Sequence, residues 1–298
     1  MININNTHWV FICGASSESI GLTRHVLDIA FGINKLLSLG VNKSNIDVLI
    51  DHGSDEWLSG VEDKLIFDGI SINSISEYSN IFNSNNNLPC LVLFFLGHGT
   101  SSGIDSPTQL KPNDLCNAIY SKNNLEYCTV FFGQCYSGIY RYVDLNRTDK
   151  HTKTPKVCFI GASSYDVSIS TNININNLSF QSWSANVFLF KIFEWLGNHE
   201  ADVDGDGYNS LMDAYKFASI EAHKVLLNAK ISGSYHLYTY QKTYSQLSEK
   251  DNQTKTPEEK FYQQQAEKEI FNQGRIVYSR QDSWILNSND ARNIHFRL

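Results

Sequence analysis

The chain has 298 residues, 42% of them hydrophobic and 18% charged, with a formal net charge of -7. That is the balance of a globular protein with a sizeable core, and the acid excess argues against a nucleic-acid partner, which needs clustered Lys and Arg. No apolar run approaches the ~18 residues that cross a bilayer, and "MININNTHWVFICG" has no basic segment before its apolar stretch. No membrane association is expected, and the expected location is the cytoplasm, with a non-classical route of secretion left open.

In chain order, "HWVFICG" at 8–14 predicts a strand, and "TRHVLDIAFGINKLLSL" at 23–39 an amphipathic helix stopped by Gly40. "IDVLI" at 46–50 is a second strand, and "KLIFDGISIN" at 64–73 carries the Asp-Gly of a hairpin. "CLVLFFL" at 90–96 is apolar on both faces, as an interior strand of a parallel sheet should be. A short helix at 113–121 leads to the strand "CTVFFG" at 128–133. "KVCFIGA" at 156–162 is another buried strand, and "SWSANVFLFKIFEWLG" at 182–197 an apolar helix. This β-α-β alternation predicts an α/β layered domain over 1–235. From about Tyr240 the chain turns polar, so 236–298 is expected to be an appendage: a linker, an exposed helix and a terminal hairpin in "RIVYSRQDSWILNS".

Six cysteines without a C-x-x-C pair predict neither a disulfide framework nor a zinc site. Cys13, Cys90, Cys128 and Cys158 sit in or beside apolar runs and are expected to be buried. Cys135 differs, because it follows its strand in "TVFFGQCYSG", between Gly133 and Gly138. His98 follows another strand in "LVLFFLGHG". Chemistry in parallel sheets gathers at the carboxyl ends of strands. A thiol and an imidazole at two such exits form a nucleophile–base pair, and the amides of Gly99 and Cys135 are candidates for an oxyanion hole.

The pair "LVLFFLGHGTSSG" and "TVFFGQCYSG" resembles the caspase-hemoglobinase (clan CD) cysteine peptidases, most of all legumain-like and bacterial caspase-like members. "VCFIGASSYDVSIS" is similar to the strand and S1-lining loop that follow in that group, "SFQSWSANVFLFKIFEWLG" to the next helix, and "ADVDGDGYNSLMDAYKFA" to the acidic loop and helix of bacterial members, so that the resemblance spans about residues 8–225. It implies a caspase-like three-layer fold with a mainly parallel central sheet of about six strands. It also implies a thiol endopeptidase with Cys135 as nucleophile, His98 as acid–base and a covalent acyl-enzyme, acting on peptide or protein substrates. Gln134, Ser163 and Asp166 fall in the substrate-binding region, where Asp166 leans towards a basic P1 residue. Two departures stand out. Gly133 occupies the place where relatives carry an S1-shaping Glu, Asp or Gln, and "CGASSES" lacks the Arg expected at the first strand's end. His52, in "LIDHGSDEW", mimics the legumain histidine motif but follows the second strand instead of the third.

"DVDGDGYNSLMD" at 202–213 fits a calcium loop with Asp in the final place, so Asp202, Asp204, Asp206, the Tyr208 carbonyl, Ser210 and Asp213 are candidate ligands of a structural Ca²⁺. No cofactor is expected for the chemistry itself. The polar stretch 140–156 is a candidate self-processing loop through Arg147, Lys150 or Lys153. Two alternatives stay open: an inactive caspase-like module that binds a protein partner or regulator, with 236–298 as one working surface, and a transpeptidase or ligase of the same fold.

Overall fold

The computed structural model describes residues 2–14, 22–51, 67–85, 87–145, 154–174, 182–196, 198 and 202–297. It divides into two compact units, Met1–Ala222 with Gln281–Leu298, and His223–Arg280.

The larger unit is built on a seven-stranded sheet. Its strands are β1 (Thr7–Gly14), β2 (Ile46–Ile50), β3 (Ser71–Asn73), β4 (Cys90–Gly97), β5 (Tyr127–Phe132), β6 (Lys156–Gly161) and β7 (Trp284–Leu286). Their order is β7-β6-β5-β4-β1-β2-β3, parallel throughout except for β7, which runs antiparallel to β6. Interior strands of such a sheet are covered on both sides, which explains why β1 and β4 read as unbroken apolar runs.

The alternation along β4 sorts its side chains into two cores. Leu91, Leu93 and Phe95 join Phe132, Tyr140, Phe159 and Trp284 on one face, closed by α2 (Tyr78–Ser84) and α3 (Pro112–Ser121). Phe94 faces the other way, tilted at 30° to Phe11 and stacked on Phe131, with centroids 5.0 and 5.4 Å away. Phe193 of α4 (Val187–Leu196) and Phe31 of α1 (Leu22–Ser38) close that side. The architecture is therefore a three-layer α/β/α arrangement with a mostly parallel sheet.

Three local expectations are corrected. Residues 182–186 are not helical. They form a strand paired antiparallel with Ser170–Asn174, because Trp183 and Ala185 are buried with a period of two while Asn186 caps the helix that begins at Val187. Ser71–Asn73 pairs in parallel with β2, so Asp68-Gly69 makes a turn into a sheet edge; the first arm of the expected hairpin, 64–66, lies outside the described residues.

The third correction concerns the carboxyl end. Residues 281–298 belong to the larger unit, where Trp284–Leu286 pairs with Gly161–Phe159 and Phe296–Arg297 pairs with Ile2–Asn3. Arg275–Val277, the supposed first arm of a terminal hairpin, ends a helix instead. The break at 235 also moves, since α5 runs from Leu211 to Ser248 without interruption. The smaller unit comprises the rest of α5 and an antiparallel α6 (Pro257–Val277), opened by a capping box between Thr256 and Glu259. Among the described residues no helix is long and apolar enough to cross a membrane.

Candidate functional site: a thiol and an imidazole at adjacent strand exits

The order β3-β2-β1-β4-β5-β6 reverses direction between β1 and β4. Open α/β sheets bind their ligands beside such a point, at the strands' carboxyl ends. The β1 exit reads Cys13-Gly14-Ala15 and carries no G-x-G-x-x-G fingerprint, so the sheet order places a crevice without implying a dinucleotide.

β4 and β5 are hydrogen-bonded neighbours whose last paired residues are Phe95 and Phe132. His98 and Cys135 each lie three residues beyond that pair, in equivalent positions of adjacent strands. Gly133 N–H bonds the Phe95 carbonyl at 2.9 Å and extends the ladder towards the cysteine. Gly97, with φ at +84°, turns the chain before His98, whose amide donates to the Gly14 carbonyl at 2.7 Å. Gly99 then lies so close to Cys135 that a Cβ would strike the Cys135 carbonyl oxygen. The two exits thus touch through backbone, and only glycine fits the contact.

Of the six cysteines, all free, Cys135 alone is not buried. Burial pushes the Cys13 thiol up to about 12, ahead of a smaller push from Asp28, and such a thiol is inert at neutral pH. Cys135 Sγ accepts a hydrogen bond from Ser168 N–H at 3.3 Å, and among the described residues the Cys135 amide donates to no other group. Tyr136, which follows, holds the left-handed conformation at φ 56°, and its amide donates to the Asp166 carbonyl at 2.9 Å. His98 is half-buried. Burial first and the Arg24 charge second lower its pKa, against an opposing pull from Asp105.

The expected S1 residues separate. Gln134 is buried beneath Gly99, and Ser163 is fully buried with its Oγ 3.4 Å from the Gln134 carbonyl, so neither side chain reaches the surface. Ser163 instead holds the fold together: its carbonyl accepts from Ser137 Oγ at 2.6 Å and from Trp284 Nε1 at 2.8 Å. Asp166 is half-buried, with Oδ1 on the Val167 amide at 2.7 Å. At Gly133 a side chain has no room, because a Cβ would run into Leu189 of α4.

Several site residues escaped the sequence reading. Arg24 and His25 sit in the first turns of α1, where "TRHVLD" reads simply as an amphipathic helix. Arg24 Nη1 donates to Ser170 Oγ at 2.8 Å, and the His25 ring packs on that of His98. Asn186 Nδ2 donates to the Gly133 carbonyl at 2.6 Å and to Ser168 Oγ at 3.0 Å. No periodicity announces these contacts, which depend on how the capping residue of α4 meets the β5 exit.

In the acidic loop, carboxylate oxygens of Asp202, Asp204 and Asp206 lie within 4.8 Å of one another, a donor set that suits a hard divalent cation. Two of the other expected ligands, Ser210 and Asp213, are otherwise engaged. Asp213 is buried, with Oδ2 on Ser210 N and Oγ at 2.9 and 2.5 Å and Oδ1 on Val203 N at 3.2 Å, and so caps α5. Ser210 is buried in the same cap, and Lys216 Nζ already pairs with Asp204 at 2.8 Å. His52 and the 147, 150 and 153 positions lie outside the described residues.

No protein-family model matches the chain, and no curated protein matches it either.

Proposed function

We propose that this chain is a cysteine endopeptidase working through a Cys135–His98 dyad. The observation that carries the reading is the equivalent placement of the two groups at neighbouring strand exits, pinned by the Gly99–Cys135 backbone contact. The resemblance of both strand-exit motifs to caspase-like and legumain-like peptidases supports it.

In this reading His98 takes the thiol proton and Sγ attacks the scissile carbonyl carbon. The carbonyl's electron pair moves to oxygen, where the Cys135 amide is a donor. Collapse of the tetrahedral intermediate breaks the C–N bond, and His98 gives its proton to the departing amine. Water, deprotonated by His98, then attacks the thioester, releasing the carboxylic acid and returning the proton to the thiol. The lowered pKa of His98 suits this work, because a neutral imidazole is needed for the first proton transfer.

Arg24 places a cation beside His98, so P1 side chains bearing a carbonyl or carboxylate, Asn and Asp, join the basic P1 residues that Asp166 suggests. A peptidyl acyloxymethyl ketone tests the reading directly. It should add one peptidyl mass to the wild type, at Cys135, and none to Cys135→Ala. Equal labelling of both would remove Cys135 from its role.

A further inference from the structure

Asn186 does more than cap a helix. As the residue before α4 it needs one acceptor, and Oδ1 supplies it to the Leu189 amide at 3.0 Å. Ser, Thr or Asp would serve equally. Only Asn adds two N–H donors to that acceptor, and both are engaged: one on the Gly133 carbonyl at 2.6 Å, the other on Ser168 Oγ at 3.0 Å. Gly133 belongs to the strand exit that ends in Cys135. Ser168 belongs to the loop after β6, and its amide faces Sγ at 3.3 Å.

Asn186 is itself held from behind. The buried Asp28 carboxylate accepts from the Asn186 amide at 3.2 Å and from Trp183 Nε1 at 2.9 Å. The same space explains the glycine at 133, where a Cβ would lie 3.0 Å from Asn186 Oδ1 and inside the Leu189 side chain. The place that relatives give to a specificity residue is therefore filled by the amino end of α4.

We propose that Asn186, locked by Asp28, is a positioning residue for the Cys135 thiol: its carboxamide ties the cysteine's strand exit to the loop whose Ser168 amide donates to Sγ. The inference rests on reading Cys135 as the nucleophile. A backbone N–H aimed at sulfur stabilises negative charge as it develops there, and the clamp keeps that donor in place before substrate arrives. Asn186 touches neither sulfur nor substrate and acts only through Gly133 and Ser168.

The test compares wild type with Asn186→Ser, which keeps the capping oxygen and loses both donors. Iodoacetamide alkylation of Cys135 is followed by mass spectrometry across pH 5 to 9, beside thermal unfolding of each protein. The expected result is a folded protein whose melting point falls by about 2–6 °C, because the cap is kept while two hydrogen bonds are lost. At neutral pH alkylation should slow by about 5-fold, with the pH profile moved to higher pH. A wild-type rate and profile in Asn186→Ser would overturn the proposal. If that variant does not fold, Ser168→Ala cuts only the Oγ arm, and an unchanged alkylation profile there would overturn it too. Alkylation needs no peptide turnover, so the two readings fail separately. A moved profile in a protein that cleaves nothing retires the peptidase and leaves the clamp, whereas cleavage with an unmoved profile does the reverse.

Discussion

The imidazole of His25 packs edge-to-face on that of His98, with ring centroids 5.0 Å apart and planes at 85°. Behind it, His25 Nδ1 stands 4.0 Å from Asp28 Oδ2, and both residues are buried. Burial, then the charges of Arg24 and His98, lower the His25 pKa to about 3. Burial raises Asp28 to about 7, against hydrogen bonds from Trp183 and Asn186 and the charge of Arg24.

These shifts have opposite effects on stability. Between the unfolded values of 3.8 for Asp28 and 6.5 for His25, the unfolded chain carries a proton on His25 and the folded one carries it on Asp28. Proton uptake is equal, and the pair adds no slope. Asp28→Asn leaves His25 alone, so stability should rise with pH from about 3 to 6.5. His25→Phe leaves Asp28 alone, so stability should fall as pH rises from 3.8 to about 7. The limiting slope is about 1.4 kcal/mol per pH unit for one proton. Denaturant midpoints at pH 4, 5 and 6 check this, and parallel curves for both variants would show that the pair does not titrate this way.

Removing the Arg24 charge should move the acid limb of any turnover. Its field lowers the His98 pKa, so Arg24→Gln should let His98 protonate at higher pH. The acid limb of kcat/KM then shifts towards neutrality. A limb that stays in place would assign it to another group.

Gly133 and Leu189 should be energetically coupled. Gly133→Ala pushes a methyl into the Leu189 side chain and should destabilise by about 1–3 kcal/mol. In a Leu189→Ala background the same methyl meets only Asn186 Oδ1, 3.0 Å away, so the double-mutant cycle should show at least about 1 kcal/mol of coupling. Additive unfolding free energies would mean that α4 does not close this space.

Trp284 joins β7 to the loops around the site. Its indole is buried against Phe132 at 5.8 Å, and Nε1 donates to the Ser163 carbonyl. Trp284→Ala should cost about 3–5 kcal/mol in chemical denaturation. Removing residues 281–298 should be at least as damaging. A truncated chain as stable as the full one would return this segment to the status of an appendage.

The two strand exits were legible because both-face burial gives an unbroken apolar run, and the first reactive side chain after each run marks its end. Cys135 stood apart from Cys13, Cys128 and Cys158 for the same reason. What escaped the sequence lies in contacts between distant segments. "SWSAN" merges with the apolar helix behind it, so neither the strand at 182–186 nor the cap at Asn186 announces itself. Trp284–Leu286 is too short to read as a sheet strand until its partner Phe159–Gly161 is known. The acidic loop shows the opposite case. Its spacing is a local signal, but the packing that turns Asp213 inward to cap α5 is not.

The most direct test of the central claim is turnover of fluorogenic peptides carrying Asn, Asp, Arg or Lys at P1 by wild type, Cys135→Ala and His98→Ala. Wild type should cleave at least one substrate, and each variant should lose about 10³-fold or more in kcat/KM, because a dyad acts as a unit. Cleavage by Cys135→Ala at the wild-type rate would contradict it.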